Sequence, residues 1–325
     1  MKGKRNRFLV IAASFAAVIM LALAAGCTTQ DNTAPATTQV SAERPAIADA
    51  PATPAAAAAA PVSTAKPASS GERQTIKISG STTVLPVVQK AADQYMATHA
   101  NADIQVSGGG SGVGIQAIGA KTVDIGMSSR EVTAAELKKY PAFVITPVAR
   151  DGIAVIVNPS NEIRHITLDQ IRDIYLGKIT KWTEISGANV PGTNNQIVVI
   201  GRDSASGTRS YFDESLLGKK TPAKQMLEKN SNGAVLQTIA QTPGAIGYVS
   251  IGFISNDVKA LPVWYNADKI VAPSLENVKD KTYPVSRDLY VITNGQPSGL
   301  ADDFIRYILS ADGQKIVADE GYVTV

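Results

Sequence analysis

Cysteine and histidine are almost missing from this 325-residue chain, which contains one cysteine and two histidines. The single cysteine, Cys27, excludes a disulfide bond within the chain, so the fold must depend on its apolar core. The histidines, His99 and His165, lie far apart in sequence, and neither has the spacing of a metal ligand. We therefore expect neither a metal site nor a cofactor, because zinc and similar ions need clustered ligands.

The signatures of nucleotide binding and of serine hydrolysis are missing from the glycine-containing loops. None of these loops fits the GxxxxGK[ST] phosphate loop, and the stretch GGGSGVG lacks the GxGxxG spacing with a well-placed acid after it. Ser206 lies in SASGTR, which is not the GxSxG of a nucleophile elbow, and no histidine lies near it. An enzyme acting on a phosphate ester would need a metal set or an activated nucleophile. We therefore expect a binding protein and not an enzyme.

The N-terminus has the order of residues that is typical of an export signal. Four lysines and arginines among residues 2–7 precede an apolar run from Phe8 to Ala25, and small residues stand directly before Cys27. This end resembles a bacterial lipoprotein lipobox, although its leucine, Leu23, lies one position earlier than usual. We expect residues 1–26 to be a signal peptide and Cys27 to be the lipidation site. A membrane-spanning anchor and an unmodified thiol are the alternatives.

Alanine, proline, threonine and serine dominate the segment that follows the predicted signal peptide. Residues 27–72 have little apolar surface to bury, and proline recurs through them. This composition predicts a disordered or semi-extended tether. Loss of the signal peptide would also change the formal net charge from +3 to −1. A nearly neutral chain gives no support to nucleic-acid binding.

From Arg73 onward, apolar strands alternate with amphipathic helices. The alternation over Thr75–Ile78 predicts a strand, and the apolar side of Pro86–Thr98 predicts a helix. A further helix is predicted to begin at Thr133, which has capping-box spacing to Glu136. This pattern predicts an α/β fold with mostly parallel or mixed sheets. The length of about 250 residues favours two lobes.

Three further segments give predictions, of which the helix at Ala223–Glu228 depends on a weaker pattern. Val144–Val148 and Ile153–Val157 are apolar and are predicted as buried strands. Ala223–Glu228 is predicted as a short helix.

Three loops place serine, threonine and glycine directly before predicted helices. They are Ser79–Pro86, Ser107–Gly114 and Gly201–Arg209. Unpaired backbone N–H groups and the helix dipole favour an anion at such positions, and glycine permits its close approach. Arg202 adds one full positive charge, with planar donors that match an oxyanion. Each loop alone is more typical of an ordinary helix cap, but their joint occurrence favours an anion site.

Five stretches occur in an order that resembles the phosphate-binding proteins of bacterial phosphate ABC transporters, the PstS family. In chain order they are GSTTVLP, GGGSGVG with the following TVDIGMSSR, IYLGKITKW, GRDSASGTR and PGAIGYVS. The resemblance covers roughly residues 75–325. It implies an extracytoplasmic protein that captures inorganic phosphate and delivers it to a membrane permease and its ATPase. Binding of another oxyanion, such as sulfate or molybdate, and a phosphate sensor that is not coupled to transport are the alternatives.

The resemblance also implies an architecture and a location. The family has a two-lobed periplasmic-binding-protein-like α/β fold of type II, with the ligand in the interlobe cleft and two hinge crossings. Lobe 1 would comprise residues 73–156 plus 263–325, and lobe 2 would comprise residues 157–262. A lipid on Cys27 would anchor the protein to a bilayer, facing the periplasm or the cell exterior.

Phosphate-binding residues can be carried over from the motifs. They would be Ser81, Thr82, Thr83, Ser111, Ser129, Arg202, Ser206, Gly207 and Thr208. Ser129 stands where some relatives have an aspartate that accepts a proton from phosphate. Rejection of sulfate needs such an acceptor, and a serine can accept a hydrogen bond but is also a donor. The preference for phosphate is therefore implied by the resemblance as a whole and not by this position. Asp124 and Asp203 are the alternative acceptors.

Overall fold

The computed structural model of the protein describes residues 72–218, 220–265 and 269–325, which all belong to one compact unit. Three predictions fall on residues outside these ranges: the signal peptide at 1–26, the lipidation of Cys27, and the tether at 27–72, of which only Glu72 is described. Within the described ranges, no helix is both long enough and apolar enough to cross a membrane.

Strands and helices alternate along most of the described chain. The strands are β1 (Gln74–Gly80), β2 (Ala102–Gly109), β3 (Ile125–Ser128), β4 (Phe143–Val157), β5 (Ile166–Thr167), β6 (Val198–Arg202), β7 (Leu227–Lys229), β8 (Ala245–Ser250), β9 (Lys259–Ala260), β10 (Val263–Trp264), β11 (Ile270–Val271) and β12 (Ser286–Asn294). The helices are α1 (Leu85–Thr98), α2 (Ser111–Gly119), α3 (Ala134–Lys139), α4 (Leu168–Tyr175), α5 (Gly207–Leu216), α6 (Asn232–Gln241), α7 (Leu275–Lys279), α8 (Leu300–Leu309) and α9 (Ala311–Asp319). The predicted α/β class is therefore confirmed.

One mixed sheet contains most of the strands, in the order β2-β1-β3-β12-β4-β8-β6-β7, with β9 also paired to β4. Strand β1 is parallel to β2 and β3, and β6 is parallel to β7 and β8. Strands β4 and β12 are antiparallel to each other, and each is antiparallel to its other neighbours in this sheet. A small second sheet has the order β11-β10-β5. The parallel strands bring several strand ends and helix starts to the same edge of the main sheet.

Strand β4 corrects the prediction of two strands at Val144–Val148 and Ile153–Val157. It is one strand of 15 residues, which pairs with β12 over its first part and with β8 from Ile153 onward. The polar residues between the two predicted segments suggested a break. Asp151 instead continues the strand, because the side chain of Arg287 on β12 pairs with its carboxylate.

The predicted helix at Ala223–Glu228 is also wrong. A short turn there leads directly into β7. The backbone N–H of Ala223 donates to the carbonyl of Tyr175, and Leu227 is in register with Ile200 of β6. Within the segment, the backbone N–H of Met226 donates to the carbonyl of Ala223 in a tight turn. The segment therefore forms a turn and pairs with other elements, and its backbone bonds are not those of a helix.

Two large apolar clusters pack against the main sheet. The first contains Ile153–Val157 of β4 together with side chains of α4, α5 and α6. The second contains Val148 and Ala149 of β4 with side chains of α1, α8 and α9. The chain therefore passes between the clusters within β4. It returns near the start of β12, between Val285 in the first cluster and Leu289 in the second.

The predicted capping box begins helix α3. The backbone N–H of Glu136 donates to Thr133 Oγ1 at 3.2 Å, and the backbone N–H of Thr133 donates to Glu136 Oε2 at 2.8 Å. Arg130 also donates to both carboxylate oxygens of Glu136, at 2.8 and 2.7 Å. Burial alone would raise the pKa of Glu136, but the hydrogen bonds from Arg130 and Thr133 outweigh it and lower the pKa to about 2.

Replacing Glu136 with glutamine tests the contribution of this charge, because glutamine keeps the capping-box pattern. A carboxyl group whose pKa is lowered on folding stabilises the protein above its ordinary pKa of 4.5 and loses this effect as the pH falls toward 2. We expect Glu136→Gln to lower the free energy of unfolding by up to about 1 kcal/mol at neutral pH. Urea unfolding of both chains between pH 7 and pH 2 measures the difference. A difference that stays constant across this range would contradict the prediction.

Candidate functional site

The three predicted anion-binding loops lie in contact with one another. The first follows β1 and the second follows β2, and these two strands are parallel neighbours. The third follows β6 and reaches the other two from a different part of the sheet. The backbone N–H of Gly112 donates to the carbonyl of Ala205 at 2.9 Å, and Arg202 Nη2 donates to Thr82 Oγ1 at 3.1 Å. Residues far apart in sequence thus form one polar centre.

The hydroxyl groups of the first loop each have a defined hydrogen-bonding role. Ser81 Oγ accepts from the backbone N–H of Thr83 at 3.2 Å, which closes a turn before α1. Thr83 Oγ1 accepts from Asn232 Nδ2 at 2.9 Å and lies 3.2 Å from Thr208 Oγ1. All three predicted residues of this loop, Ser81, Thr82 and Thr83, are buried. The loop therefore presents fixed hydroxyls to the interior and not to solvent.

Ser111 and Ser129 form the second contact of the centre. The backbone N–H of Ser129 donates to Ser111 Oγ at 3.0 Å, and the two Oγ atoms lie 3.3 Å apart. A Cβ added at Gly207 would overlap Ser111 Oγ and would lie 2.8 Å from Ser129 Oγ. Glycine at position 207 is therefore needed for the close approach of the third loop.

The third loop brings the start of helix α5 to the centre. Ser206 is the N-cap residue, and its Oγ accepts from the backbone N–H of Arg209 at 3.2 Å. Gly207 and Thr208 are the first two residues of the helix, and both are buried. A helix start carries unpaired N–H groups and a partial positive charge, so this end of α5 favours an anion.

Arg202 is the buried cation of the third loop, with only 1% of its surface exposed. Its Nε donates to the carbonyl of Lys229 at 3.2 Å, and its Nη2 donates to the carbonyl of Asn230 at 3.2 Å as well as to Thr82. Its Nη1 is buried and has no hydrogen-bond partner among the described residues. Burial lowers the pKa of Arg202 to about 10, so the side chain stays charged at neutral pH.

Sequence reasoning missed a second buried arginine at the centre. Arg287 of β12 donates from Nη2 to Thr208 Oγ1 at 3.0 Å and forms a buried ion pair with Asp151 at 2.8 Å. One signal was present in the sequence. Strand alternation puts Arg287 on the same inward face as Leu289 and Val291, where a charged residue needs a partner.

The two alternative carboxylates have different positions. Asp124 is exposed, and its Oδ2 accepts from the backbone N–H of Lys77 at 2.8 Å, so it joins β1 to the start of β3. Asp203 lies in the third loop, where its Oδ1 accepts from the backbone N–H of Ala205 at 3.0 Å. Asp124 thus has a structural role, and Asp203 belongs to the loop that carries Arg202.

Apart from the carboxylates of Asp151 and Asp203, the side chains of this centre can donate hydrogen bonds, and no metal-binding cluster accompanies them in the described ranges. There, no group of three or more His, Cys, Asp or Glu side chains is placed to hold a metal ion. Hydroxyls, backbone N–H groups and guanidinium groups are the chemistry that binds an oxyanion.

Comparison with known proteins gives consistent similarities. A PBP superfamily domain matches residues 62–312. The Phosphate-binding protein PstS of Bacillus subtilis is 36% identical over 253 residues, which cover 77% of this chain and 81% of the relative.

Two solved structures are similar in fold and sequence. The first, from Clostridium perfringens, is named as a phosphate ABC transporter substrate-binding protein with bound phosphate. It is 33% identical, has a TM-score of 0.71, and the match covers 78% of this chain and all of that one. The second, an ABC-type phosphate transport receptor from Vibrio cholerae, is 30% identical, has a TM-score of 0.62, and the match covers 77% of this chain and all of that one. The chain belongs to the PstS family of phosphate-binding proteins, within the PBP superfamily.

Proposed function

We propose that this protein captures inorganic phosphate at the contact of its three loops and delivers it to the permease and ATPase of a phosphate ABC transporter. The names of its relatives and the bound phosphate of the Clostridium perfringens structure support this function. The observation that carries it is Arg202, whose buried Nη1 has no acceptor within the described part of the chain. A buried guanidinium donor needs an acceptor, and an oxyanion supplies one with matching geometry.

The remaining ligands in this proposal are neutral groups that can donate a hydrogen bond. They are Ser81, Thr82, Thr83, Ser111, Ser129, Ser206, Gly207 and Thr208. A buried anion loses its water, so closely placed hydroxyl and backbone N–H groups must replace that water. These groups bind an anion without making or breaking a bond in it. We therefore propose a binding protein and not an enzyme.

We further propose that the ligand lies between two lobes joined by two crossings. Arg202 and Thr208 belong to β6 and α5 of the first apolar cluster. Thr82 precedes α1 of the second cluster, and Ser111 begins α2, whose buried side chains form a third, smaller cluster with Val132 and Ile292. The chain changes from one apolar cluster to the other between residues 149 and 153 and again between residues 285 and 289, which favours crossings there. The lobe bounds expected from the sequence would instead put the crossings at 156–157 and 262–263. Binding would then hold the lobes together, since both contribute donors to one anion.

We also propose that the protein is exported and attached to a membrane by a lipid on Cys27. The support is the sequence of residues 1–27 alone, where a basic start and an apolar run precede the cysteine. The segment 27–72 would hold the binding unit away from the bilayer and facing the periplasm or cell exterior.

The choice between phosphate and sulfate depends on an acceptor for a proton of phosphate. Ser111 and Ser129 lie within hydrogen-bond distance of each other, and a hydroxyl oxygen has two lone pairs with which to accept. We propose that this pair takes the place of the aspartate, with Asp203 as the alternative acceptor. A site in which these hydroxyls only donate would also accept sulfate or molybdate.

Calorimetric titration of the purified chain tests the proposed function. The chain is first freed of ligand by partial unfolding and refolding, and is then titrated separately with phosphate and with sulfate. We expect one-to-one binding of phosphate and no heat from sulfate. Binding of sulfate, or of neither ion, would contradict phosphate capture and would favour another oxyanion.

Truncation of Arg202 should remove most of the affinity for phosphate. Loss of one partner of a buried, hydrogen-bonded charge pair costs about 2–5 kcal/mol, so we expect Arg202→Ala to weaken binding by that amount. The control is Arg306→Ala, since Arg306 is exposed and pairs with Asp302 in the same helix, away from the three loops. Calorimetry measures the affinity, and circular dichroism shows whether each variant folds. Unchanged affinity in folded Arg202→Ala would contradict the assignment.

Gly207→Ala should prevent the close approach of the third loop. The added Cβ overlaps Ser111, and overpacking of this kind costs about 1–3 kcal/mol, which should appear as weaker phosphate binding. Gly233→Ala is the matched control, because Gly233 also lies in a first helical turn and nothing lies within 4 Å of its added Cβ. Equal affinity of the two variants for phosphate would show that the contact at Gly207 is not needed.

A further inference from the structure

A buried ion pair lies where β4 and β12 pass between the two apolar clusters. Asp151 and Arg287 are register partners in these strands, and their side chains are 0% and 2% exposed. Arg287 Nε and Nη2 both donate to Asp151 Oδ2, at 3.1 and 2.8 Å. The other carboxylate oxygen accepts from Ser250 Oγ at 2.6 Å and from the backbone N–H of Ile251 at 3.3 Å. The carboxylate is thus fully bonded, and it fixes the plane of the guanidinium group.

A second edge of the Arg287 guanidinium, next to the one that binds Asp151, faces the anion-binding loops. A guanidinium has one edge formed by Nε and Nη2 and another formed by Nη1 and Nη2. Asp151 occupies the first edge, so the bond from Nη2 to Thr208 Oγ1 at 3.0 Å lies on the second. Nη1 on that edge is buried and has no partner in the described ranges, a property shared there only with Arg202 Nη1 and Asn161 Nδ2.

Two further observations connect Arg287 with the anion site. The two arginines donate to adjacent residues of the first loop, Arg202 to Thr82 at 3.1 Å and Arg287 to Thr83 at 3.5 Å. The charge of Arg287 accordingly adds to the larger effect of burial in lowering the pKa of Arg202. The bond from Arg287 to Thr208 also limits where the Thr208 proton can go, because an arginine can only donate. Thr83 Oγ1 accepts from the amide of Asn232 in the same way.

The two threonine hydroxyls therefore have one proton left for a ligand. Thr83 and Thr208 lie 3.2 Å apart, and each oxygen already accepts from a donor. One hydroxyl donates to the other, so the second proton points to a group outside the pair. Thr208 lies in the first turn of α5, beside Gly207, where the three loops meet.

We propose that Arg287 is the second guanidinium of the anion site. Asp151 fixes its orientation, Nη2 holds the Thr208 hydroxyl as a donor to the anion, and Nη1 donates to the anion directly. This inference rests on the proposed capture of phosphate. Because Asp151 neutralises its charge, Arg287 adds directed donors and little net charge, so it contributes to the fit of the anion more than to its attraction.

Phosphate titration of Arg287→Lys tests the proposal. Lysine keeps a positive charge beside Asp151, but it lacks the planar edge that faces Thr208. We expect phosphate affinity to fall at least about tenfold, since a hydrogen bond to a charged group is lost. The control is Arg150→Ala, because Arg150 pairs with Asp288 across the same two strands but both side chains are partly exposed. We expect this control to bind phosphate like the unchanged protein.

A second variant keeps the test valid if Arg287→Lys does not fold. The combined change of Asp151→Asn and Arg287→Gln removes both buried charges together, so neither is left unpaired. We expect the same loss of phosphate affinity. A purely structural role predicts a lower unfolding temperature without phosphate and an unchanged affinity in the folded protein, and that result would overturn the proposal.

A double-mutant cycle with Thr208→Val separates action through Thr208 from a general effect on the fold. If Arg287 positions Thr208, the loss in phosphate affinity on Arg287→Lys should be smaller when Thr208 is already valine. If the losses in phosphate affinity of the two single variants simply add in the double variant, the proposal for Arg287 is overturned, but the proposed capture of phosphate is not. Absence of phosphate binding by the unchanged protein would overturn the proposed function and this inference together.

Discussion

Burial of positively charged donors is the constraint on which the site depends. Arg202 is almost fully buried and is held by backbone carbonyls and Thr82, with one nitrogen free of any partner in the described chain. Arg287 is also buried, and Asp151 balances its charge. A buried cation without a full set of acceptors is unstable unless an anion completes its environment. The fold around these side chains positions the loops so that an anion can reach both buried guanidinium groups.

The sheet and the helix starts supply the neutral part of that environment. Parallel strands β1 and β2 end at neighbouring positions, so their loops reach the same place, and α5 points its first turn toward them. Gly207 lets the loops approach to contact distance. Each hydroxyl is fixed by a second group, as Thr83 is by Asn232. Donors held in place before the anion arrives need little reorganisation when it binds, which favours affinity and selection by shape.

The sequence was sufficient to predict the local features of the fold and the site. Serine, threonine and glycine before a helix have a physical meaning within a few residues, so the three loops and the capping box at Thr133 could be found without a structure. The α/β class follows from the alternation of strands and helices. Wrong predictions arose where distant partners decide the outcome, as at Ala223–Glu228, whose backbone bonds to other elements.

The same limit explains the residues that were missed. Asp151 and Arg287 are 136 positions apart, and only the register of β4 with β12 brings them together. Asp151 seen alone interrupts an apolar stretch, which is why one long strand was predicted as two. Asn232 gave no signal, since its side chain acts through its contacts with Thr83 and with the backbone N–H of Ser250, which are both distant in sequence. Pairing across a sheet depends on register, which single-sequence patterns do not encode.

The most direct test of the account is a high-resolution crystal structure of the chain with bound phosphate. The account predicts that phosphate oxygens lie at about 2.7–3.1 Å from the Nη1 atoms of Arg202 and Arg287 and from the donors of all three loops. Phosphate bound away from these loops, or Nη1 atoms of both arginines bonded to other groups, would contradict it.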